Sequence, residues 1–548
     1  MIIPAFDSFS AILAHRAERT PDRVAFRFVF GDDVREMTYA ELFGKVSDAA
    51  ATVRERVRPG ERVLLMPAPG PGFVVSFLAT LHSGAIAVPS YPPVTARNLD
   101  RLRAVAADAD PVAVVAETPV LDLLPADDPA FAGLVRLDAA TLGQGGARVD
   151  PRAWSPAFLQ YTSGSTGTPK GVMVSHANLL HNSAVIAAQM RLDETSELVS
   201  WLPPYHDMGL VGGVLQPLFA GFPCTLLSPL EFLQQPMRWL RLVSRYRATV
   251  SGGPDFAFEL AARRFRPAED DDLDLSAWRV AFTGSEPIRR STLDRFTEVF
   301  APHGFRRSSW FPCYGMAETT LFVSGGPVGV DPVARLVGDD PRDGAVEHVA
   351  CGELPAGLDV RVVSQDGDTP LADGEVGEVV VAGDSVAEGY WNGRASEQFG
   401  LRLPGTAAGF LRTGDLGAIV DGQLHITGRL KDVLIIRGRN HYPQDVEAAA
   451  ERAHPLVRAH GAAAFTAPGE DGDRLVVVVE VFQRGDAADL AAARTAVRRA
   501  VAEELGLHVD TVVPVKARAL PRTANGKLRR QECRTRFVEG TLDPVGSA

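Results

Sequence analysis

Apolar positions in the first 150 residues recur with two different periods. Thr38-Tyr-Ala-Glu41 has the form of a capping box, and Leu42, Val46, Ala49, Val53 and Val57 follow at helical spacing. Pro59-Gly60 ends that helix, and Val63 to Met66 begins a short apolar strand. A second helical stretch, Val74 to Leu81, runs into Gly84 and the strand-like Ala85 to Val88; the prolines of Val88 to Pro93 then force a loop. Such alternation predicts an α/β architecture, and it continues to about residue 325.

Beyond that point the pattern changes twice. Gly325 to Val349 is polar, rich in Gly and Pro and weakly periodic, so it reads as a surface loop or short insertion. The segments Leu358 to Val363, Glu378 to Val381 and Leu424 to Thr427 read as strands of a small β-rich subdomain. After Arg429, a strand (Val433 to Ile436) precedes a helix with Pro443 in its first turn, running to Arg452. Leu475 to Phe482 reads as a buried strand, and Asp486 caps a helix from Ala487 to Leu505 that Gly506 ends. The expected organisation is a large N-terminal α/β domain over 1–429 and a smaller α+β domain over 430–548. The smaller unit, roughly 115 residues, lies in the usual domain range.

The chain has 548 residues, with 46% hydrophobic and 23% charged, the profile of an ordinary folded protein. Its formal net charge of −12 disfavours nonspecific nucleic-acid binding, so no nucleic-acid partner is expected. Cys224, Cys313, Cys351 and Cys533 fit neither a zinc spacing nor a disulfide framework, which suits reduced thiols in the cytoplasm. The N-terminus lacks the charge and apolar core of a signal peptide, and no apolar run approaches a membrane span; no integral membrane contact is expected.

The densest chemical signal is Tyr161-Thr-Ser-Gly-Ser-Thr-Gly-Thr-Pro-Lys-Gly171. Its glycines allow tight turns that expose N–H groups, and its hydroxyls with Lys170 add donors and charge, as a triphosphate requires. It is not a Walker A loop, because Lys170 is followed by Gly171. Four further motifs follow in order: Cys313-Tyr-Gly-Met-Ala-Glu318, Arg412-Thr-Gly-Asp415, Gly428-Arg-Leu-Lys-Asp432 and Pro521-Arg-Thr-Ala-Asn-Gly-Lys527. Taken singly, Glu318 reads as a solvated acid, Asp415 as part of a Gly-Asp turn, and Lys527 as part of a basic tail with Arg529 and Arg530.

As an ordered set over nearly the whole chain, these motifs resemble the adenylate-forming superfamily of acyl-CoA synthetases, luciferases, peptide-synthetase adenylation domains and fatty acyl-AMP ligases. The resemblance implies two α/β subdomains plus a small β-rich one, followed by a mobile C-terminal lid. It implies ATP and Mg2+ as cofactors. Thr162, Ser163, Gly164, Ser165, Thr166, Gly167 and Lys170 would grip the phosphates. Gly284, Ser285, Glu286 and Pro287 would line the adenine pocket with Tyr314, Gly315, Met316 and Ala317, the Tyr314 ring stacking on the base. Glu318 is the magnesium-associated acid, Asp415 holds the ribose hydroxyls, Arg429 meets the nucleotide, Lys431 is the hinge, and Lys527 reaches the reacting centre.

Several segments resemble the fatty acyl-AMP ligase branch: Trp201-Leu-Pro-Pro-Tyr-His-Asp-Met-Gly-Leu210, with His206 bordering the acyl carboxylate, Phe232 to Leu240, Ser251 to Ala257, Ile86 to Pro93 and Arg437 to Glu447. The glycine-bearing apolar stretch Met208 to Leu227 suits an acyl tunnel wall or a core helix–strand pair. Two departures stand out. Asp255 replaces the branch's usual Asn, adding charge beside the expected acyl pocket. The loop 326–350 reads as shorter than the insertion that accompanies poor use of coenzyme A. The implied reaction is fatty-acid adenylation with pyrophosphate release, then transfer to a phosphopantetheine thiol. Only 21 residues follow Lys527, so the carrier is expected to be a separate acyl carrier protein or a carrier domain of a polyketide or peptide synthetase. The alternatives are an acyl- or aryl-CoA synthetase and a catalytically silent nucleotide- or carrier-binding scaffold.

Overall fold

The computed structural model describes residues 6–93, 96–143, 155–162, 169–337, 347–365, 367–393, 396–436, 439–469, 472–482, 486–523 and 526–545. The chain forms two compact units. The first comprises Met1–Val333, Cys351–Val360 and Val380–Thr413; the second comprises Ala334–Ala350, Arg361–Val379 and Gly414–Ala548.

The first unit carries two sheets. One has six strands in the order Val135–Asp138, Ala113–Ala116, Arg62–Leu65, Ile86–Pro89, Phe158–Thr162, Lys170–Val174, parallel except for the last pair. Its inner strands Arg62–Leu65, Ile86–Pro89 and Ala113–Ala116 are nearly continuous apolar runs, buried on both faces. Leu64, Val88, Val114 and Leu159 pack with Leu102 and Val105 of helix Ala96–Ala109 in one buried cluster. The expected capping box is present: the Thr38 hydroxyl accepts the Glu41 N–H, the Glu41 carboxylate accepts the Thr38 N–H, and helix Tyr39–Arg56 follows. Helix Pro71–Ser83 ends at Gly84 in the left-handed region.

The other sheet runs Asp33–Thr38, Val24–Phe30, Cys224–Leu226, Leu198–Ser200, Val250–Gly253, Val280–Thr283, Trp310–Gly315, Phe322–Gly325. Its central strands are parallel and the strand at each of these ends antiparallel. An aromatic layer of Trp239, Phe258, Trp278, Phe296 and Trp310 packs behind it, with ring centroids 4.6–6.2 Å apart. Helix Asp255–Arg264 and helix Arg290–Phe300 each contribute one of these rings.

In the second unit, Val457–Gly469, Gly472–Val481 and Thr511–Lys516 form a three-stranded sheet. Alternation splits its core cleanly. Ala462, Ala464, Val477 and Val479 face one cluster with Val446 and Val497, while Ala463, Phe465, Val476 and Val478 face another with Cys533 and Phe537. Helix Pro443–Arg452 and helix Ala487–Leu505 form as expected, the latter capped by Asp486 and ended by Gly506 at φ 64°. The reading of Gly325 to Val349 as loop needs correction. Ala334–Leu336 pairs antiparallel with Glu347, His348 and Val349, a ladder too short for any period to register.

Candidate functional site

The candidate residues of the first unit gather where parallel strands end, the usual place for a ligand in an open α/β sheet. Four neighbouring strands deliver them. Leu198–Ser200 leads to His206, and Val250–Gly253 to Asp255. Val280–Thr283 leads to Gly284, Ser285, Glu286 and Pro287, and Trp310–Gly315 to Tyr314 through Glu318. Side chains tie these loops together. The Phe256 N–H donates to Glu286 Oε1 at 2.7 Å, and the Cys313 thiol donates to the Thr283 carbonyl at 3.4 Å.

Two glycines here are required by close approach. A Cβ on Gly315 would stand 1.7 Å from the Leu321 carbonyl oxygen, and one on Gly284 would stand 2.4 Å from the Cys313 carbonyl oxygen. Between them the turn stays tight enough for Tyr314 to sit half-buried, its hydroxyl 3.8 Å from Met316 Sδ. Ser285 is held at φ 74°, and its buried Oγ has no partner among the described residues. A strained backbone and an orphaned polar atom are features common at ligand contacts.

The phosphate-loop candidate is carried by an antiparallel hairpin in the other sheet. Strands Phe158–Thr162 and Lys170–Val174 pair so that Thr162 stands opposite Lys170. Ser163, Gly164, Ser165, Thr166 and Gly167 lie outside the described residues. The base of the hairpin is clamped. The Tyr161 hydroxyl donates to Asp108 Oδ2 at 2.7 Å, and the Asn392 amide donates to the Asp108 carbonyl oxygen and to Oδ1. Gln160 Nε2 donates to the Tyr205 carbonyl at 3.0 Å, joining this hairpin to the loop that bears His206.

His206 is half-buried, its Nδ1 2.5 Å from Asp207 Oδ1. That same oxygen accepts the Met208 N–H at 2.6 Å and caps the following segment. The segment, Met208–Leu215, is a π-helix, with helix Gln216–Ala220 and strand Cys224–Leu226 after it. Apolar residues all round gave no period by which the wider turn could be read.

Lys170 and Glu318 meet the same side chain. Lys170 Nζ lies 4.9 Å from the centroid of the Tyr390 ring, and the Tyr390 hydroxyl donates to Glu318 Oε1 at 2.7 Å. Burial and the Glu318 charge push the Tyr390 phenol well above its ordinary pKa, so it stays a donor. Backbone contacts hold the tyrosine: Tyr390 bridges Val172, the Met173 N–H donates to the Gly389 carbonyl, and the Glu388 N–H donates to the Met173 carbonyl. The Glu318 turn is pinned separately. The Ala387 N–H donates to the Glu318 carbonyl, and the Thr320 hydroxyl donates to the Ser385 carbonyl. Asn182 exchanges hydrogen bonds with both backbone groups of Phe322 and donates to Ser385 Oγ. Motif reading missed Tyr390, Asn182 and Asp108. An isolated Tyr, Asn or Asp carries no signal until the fold shows what it touches.

Asp255 begins helix Asp255–Arg264 and is fully buried. Its carboxyl accepts the Arg289 N–H at 3.1 Å and the Thr292 hydroxyl at 2.8 Å, holding the segment after Pro287. Burial, with Glu286 nearby, raises its pKa to about 7. The folded state therefore binds a proton that the unfolded state releases near pH 4, and this contribution to stability is lost as pH rises through about 7. Asparagine can accept the Arg289 N–H and donate to the Thr292 oxygen without charge. Asp255→Asn should match the parent in Tm near pH 4 and exceed it by several degrees above pH 7. An unchanged Tm difference across that range, measured by calorimetry, would contradict this role.

The other candidates belong to the second unit. Asp415 stands opposite Arg429 in the hairpin Gly409–Val420/Gln423–Arg429, with Arg429 Nε 3.0 Å from its buried carboxylate. The Gly414 N–H donates to Glu378 Oε1 at 3.1 Å. Lys431 is exposed in the turn Leu430–Asp432. Ala524 and Asn525 lie outside the described residues; across them the Thr523 N–H donates to the Lys527 carbonyl at 2.8 Å and the Lys527 N–H to Thr523 Oγ1 at 3.1 Å. Just beyond, Arg530 makes a two-pronged pair with Glu447, both contacts 2.7 Å, and approaches Asp432 at 3.3 Å. The base of the Lys527 turn is thereby tied to the Lys431 turn.

Residues 13–391 match the family described as AMP-binding enzyme, and residues 431–546 match the AMP domain of the Disco-interacting protein 2-like family. The chain is 37% identical to the medium-chain-fatty-acid–acyl-carrier-protein ligase JamA of Moorena producens, over 98% of this chain and 96% of that protein. It is 32% identical to the long-chain-fatty-acid–AMP ligase FadD32 of Mycolicibacterium smegmatis, over 98% and 96%. The crystal structure of a fatty acyl-adenylate ligase from L. pneumophila, in complex with acyl adenylate and pyrophosphate, superposes with a TM-score of 0.75. It is 35% identical and is covered over 96% of its length by 97% of this chain.

Proposed function

Because the chain belongs to the AMP-binding enzyme family, we propose that it activates a fatty acid with ATP and passes the acyl group to a carrier-protein thiol. The observation that supports this most strongly is the Lys170–Tyr390–Glu318 contact chain. It sets Lys170, at the end of the candidate phosphate hairpin, beside Glu318 of the turn that follows Tyr314.

In the first step a carboxylate oxygen bonds to the α-phosphorus of ATP in line with the leaving group, and the bond to pyrophosphate breaks. The protein supplies position and charge rather than covalent chemistry. The loop 162–170 holds the polyphosphate, Tyr314 and residues 284–287 take the adenine, Asp415 the ribose and Arg429 the nucleotide edge. His206 borders the acyl carboxylate, and Lys527 neutralises the charge that gathers on phosphorus. Glu318 offers a carboxylate oxygen, the donor a hard cation prefers, and magnesium would be held by it together with phosphate oxygens. When bound, the ion offsets phosphate charge.

In the second step the thiol loses its proton, sulfur bonds to the acyl carbon, and the carbon–oxygen bond to AMP breaks. A swing of residues 430–548 about Lys431 would exchange Lys527 for the thiol. The thiol comes from a carrier protein, and we place the reaction in the cytoplasm. No helix among the described residues is long and apolar enough to cross a membrane.

Incubation with ATP, magnesium and a panel of fatty and aryl acids, each with and without coenzyme A or a phosphopantetheinylated carrier protein, tests the reading by product mass. Acyl-AMP from fatty acids, consumed on adding carrier protein, supports it. A coenzyme A thioester selects the synthetase alternative, and no adenylate with any acid contradicts the reading.

A further inference from the structure

Tyr390 is almost fully buried, 5% exposed, and its side chain touches both charged candidates of the phosphate side. Its position is set from three directions. Its backbone bridges Val172 two residues beyond Lys170, its ring meets the Phe399 ring edge-on at 5.3 Å, and its hydroxyl ends on Glu318 Oε1. A tyrosine has few rotatable bonds, so a ring fixed at its backbone, edge and tip has little freedom left. Lys170 begins a strand of one sheet and Glu318 sits in a turn between two strands of the other, 148 positions apart in sequence, so the two long side chains would otherwise be ordered independently. The ring face offers Lys170 an electrostatic seat, and the hydroxyl gives Glu318 a fixed donor that selects which carboxylate oxygen turns toward the phosphates.

We propose that Tyr390 is a positioning residue for adenylation, its hydroxyl orienting Glu318 and its ring seating Lys170 so that the two act as one phosphate–cation clamp. This rests on the fatty-acid-activating reading above. The hydroxyl acts through Glu318 on the cation, and the ring acts through Lys170 on the polyphosphate. Removing each part has a separate signature. Without the hydroxyl, Glu318 keeps its charge and loses its orientation, and loss of such an outer hydrogen bond commonly weakens a cation site about tenfold. Without the ring, Lys170 loses its seat, and nucleotide binding weakens even before a cation is added.

The test uses the full chain and the non-cleavable α,β-methylene analogue of ATP, with binding followed by calorimetry as magnesium is raised. Tyr390→Phe should lower Tm by a few degrees, keep magnesium-free affinity near the parent value and raise the magnesium concentration for half-maximal effect about tenfold. Tyr390→Leu should also weaken magnesium-free binding, by about threefold. Glu318→Gln alone and combined with Tyr390→Phe should give nearly the same magnesium response, because the hydroxyl has no other route to the ion. A magnesium response of Tyr390→Phe equal to the parent's, or additive losses in the double variant, overturns the proposal. Parent protein that binds the analogue and responds to magnesium, yet forms no adenylate from any fatty acid, fails the functional reading and leaves the clamp measurement intact.

Discussion

Lys527→Ala is expected to reduce fatty-acid-dependent exchange of pyrophosphate into ATP by about 10²–10³-fold, the effect of deleting one charge-stabilising donor from a reacting centre. The turn that carries Lys527 is closed through its backbone. Thr523 supplies two of the hydrogen bonds that close it, both to the Lys527 backbone, and Gly526 takes the positive φ of 84°. Alanine therefore leaves the turn, and Tm should move little, as for most substitutions away from packed cores. A defect in adenylation with normal transfer from supplied acyl-AMP to the carrier thiol places the lysine in the first step alone. Unchanged exchange in a folded variant would refute its assigned role.

The second large effect concerns stability. Arg530→Met should destabilise the second unit by about 3–5 kcal/mol, because it strands the buried Glu447 carboxylate. Glu447 is 3% exposed and binds both prongs of the Arg530 guanidinium, while Oε1 also accepts the Ala464 N–H at 3.0 Å. Burial opposes the arginine's charge, and the Glu447 and Asp432 carboxylates outweigh it, holding its pKa above the ordinary value. Removing the cation alone leaves an anion with no counter-charge. Removing both charges, in Arg530→Met with Glu447→Gln, should recover most of the loss, since the glutamine oxygen still accepts the Ala464 N–H. Denaturant unfolding of the two variants decides it; equal destabilisation of both would mean that the charge pair is not the cause.

Elements with strong local chemistry were legible in the sequence. The Thr38–Glu41 and Asp486 caps, the Gly84 and Gly506 stops and the alternating strands each express a rule that acts within a few residues. The functional motifs were legible because several short patterns recur in one order, which no local physics demands. The rest depends on contacts distant in sequence. Val24–Phe30 reads VAFRFVF, with too little alternation to announce the strand that parallels Cys224–Leu226. Met208–Leu215 is apolar on every side, so its π-helical winding left no polar stripe to read. Asp255 looked like a charge added to an acyl pocket; its visible contacts are the Arg289 N–H and the Thr292 hydroxyl, more than thirty positions away. Tyr390 had no motif value until the fold set it between Lys170 and Glu318.

The central claim is that a fatty-acid carboxylate oxygen becomes bonded to the α-phosphorus of ATP. Fatty acid labelled with ¹⁸O in its carboxyl group, incubated with the protein, ATP, magnesium and carrier protein, should yield pyrophosphate and AMP bearing one ¹⁸O atom. Unlabelled AMP, or ADP and phosphate in its place, would contradict the account.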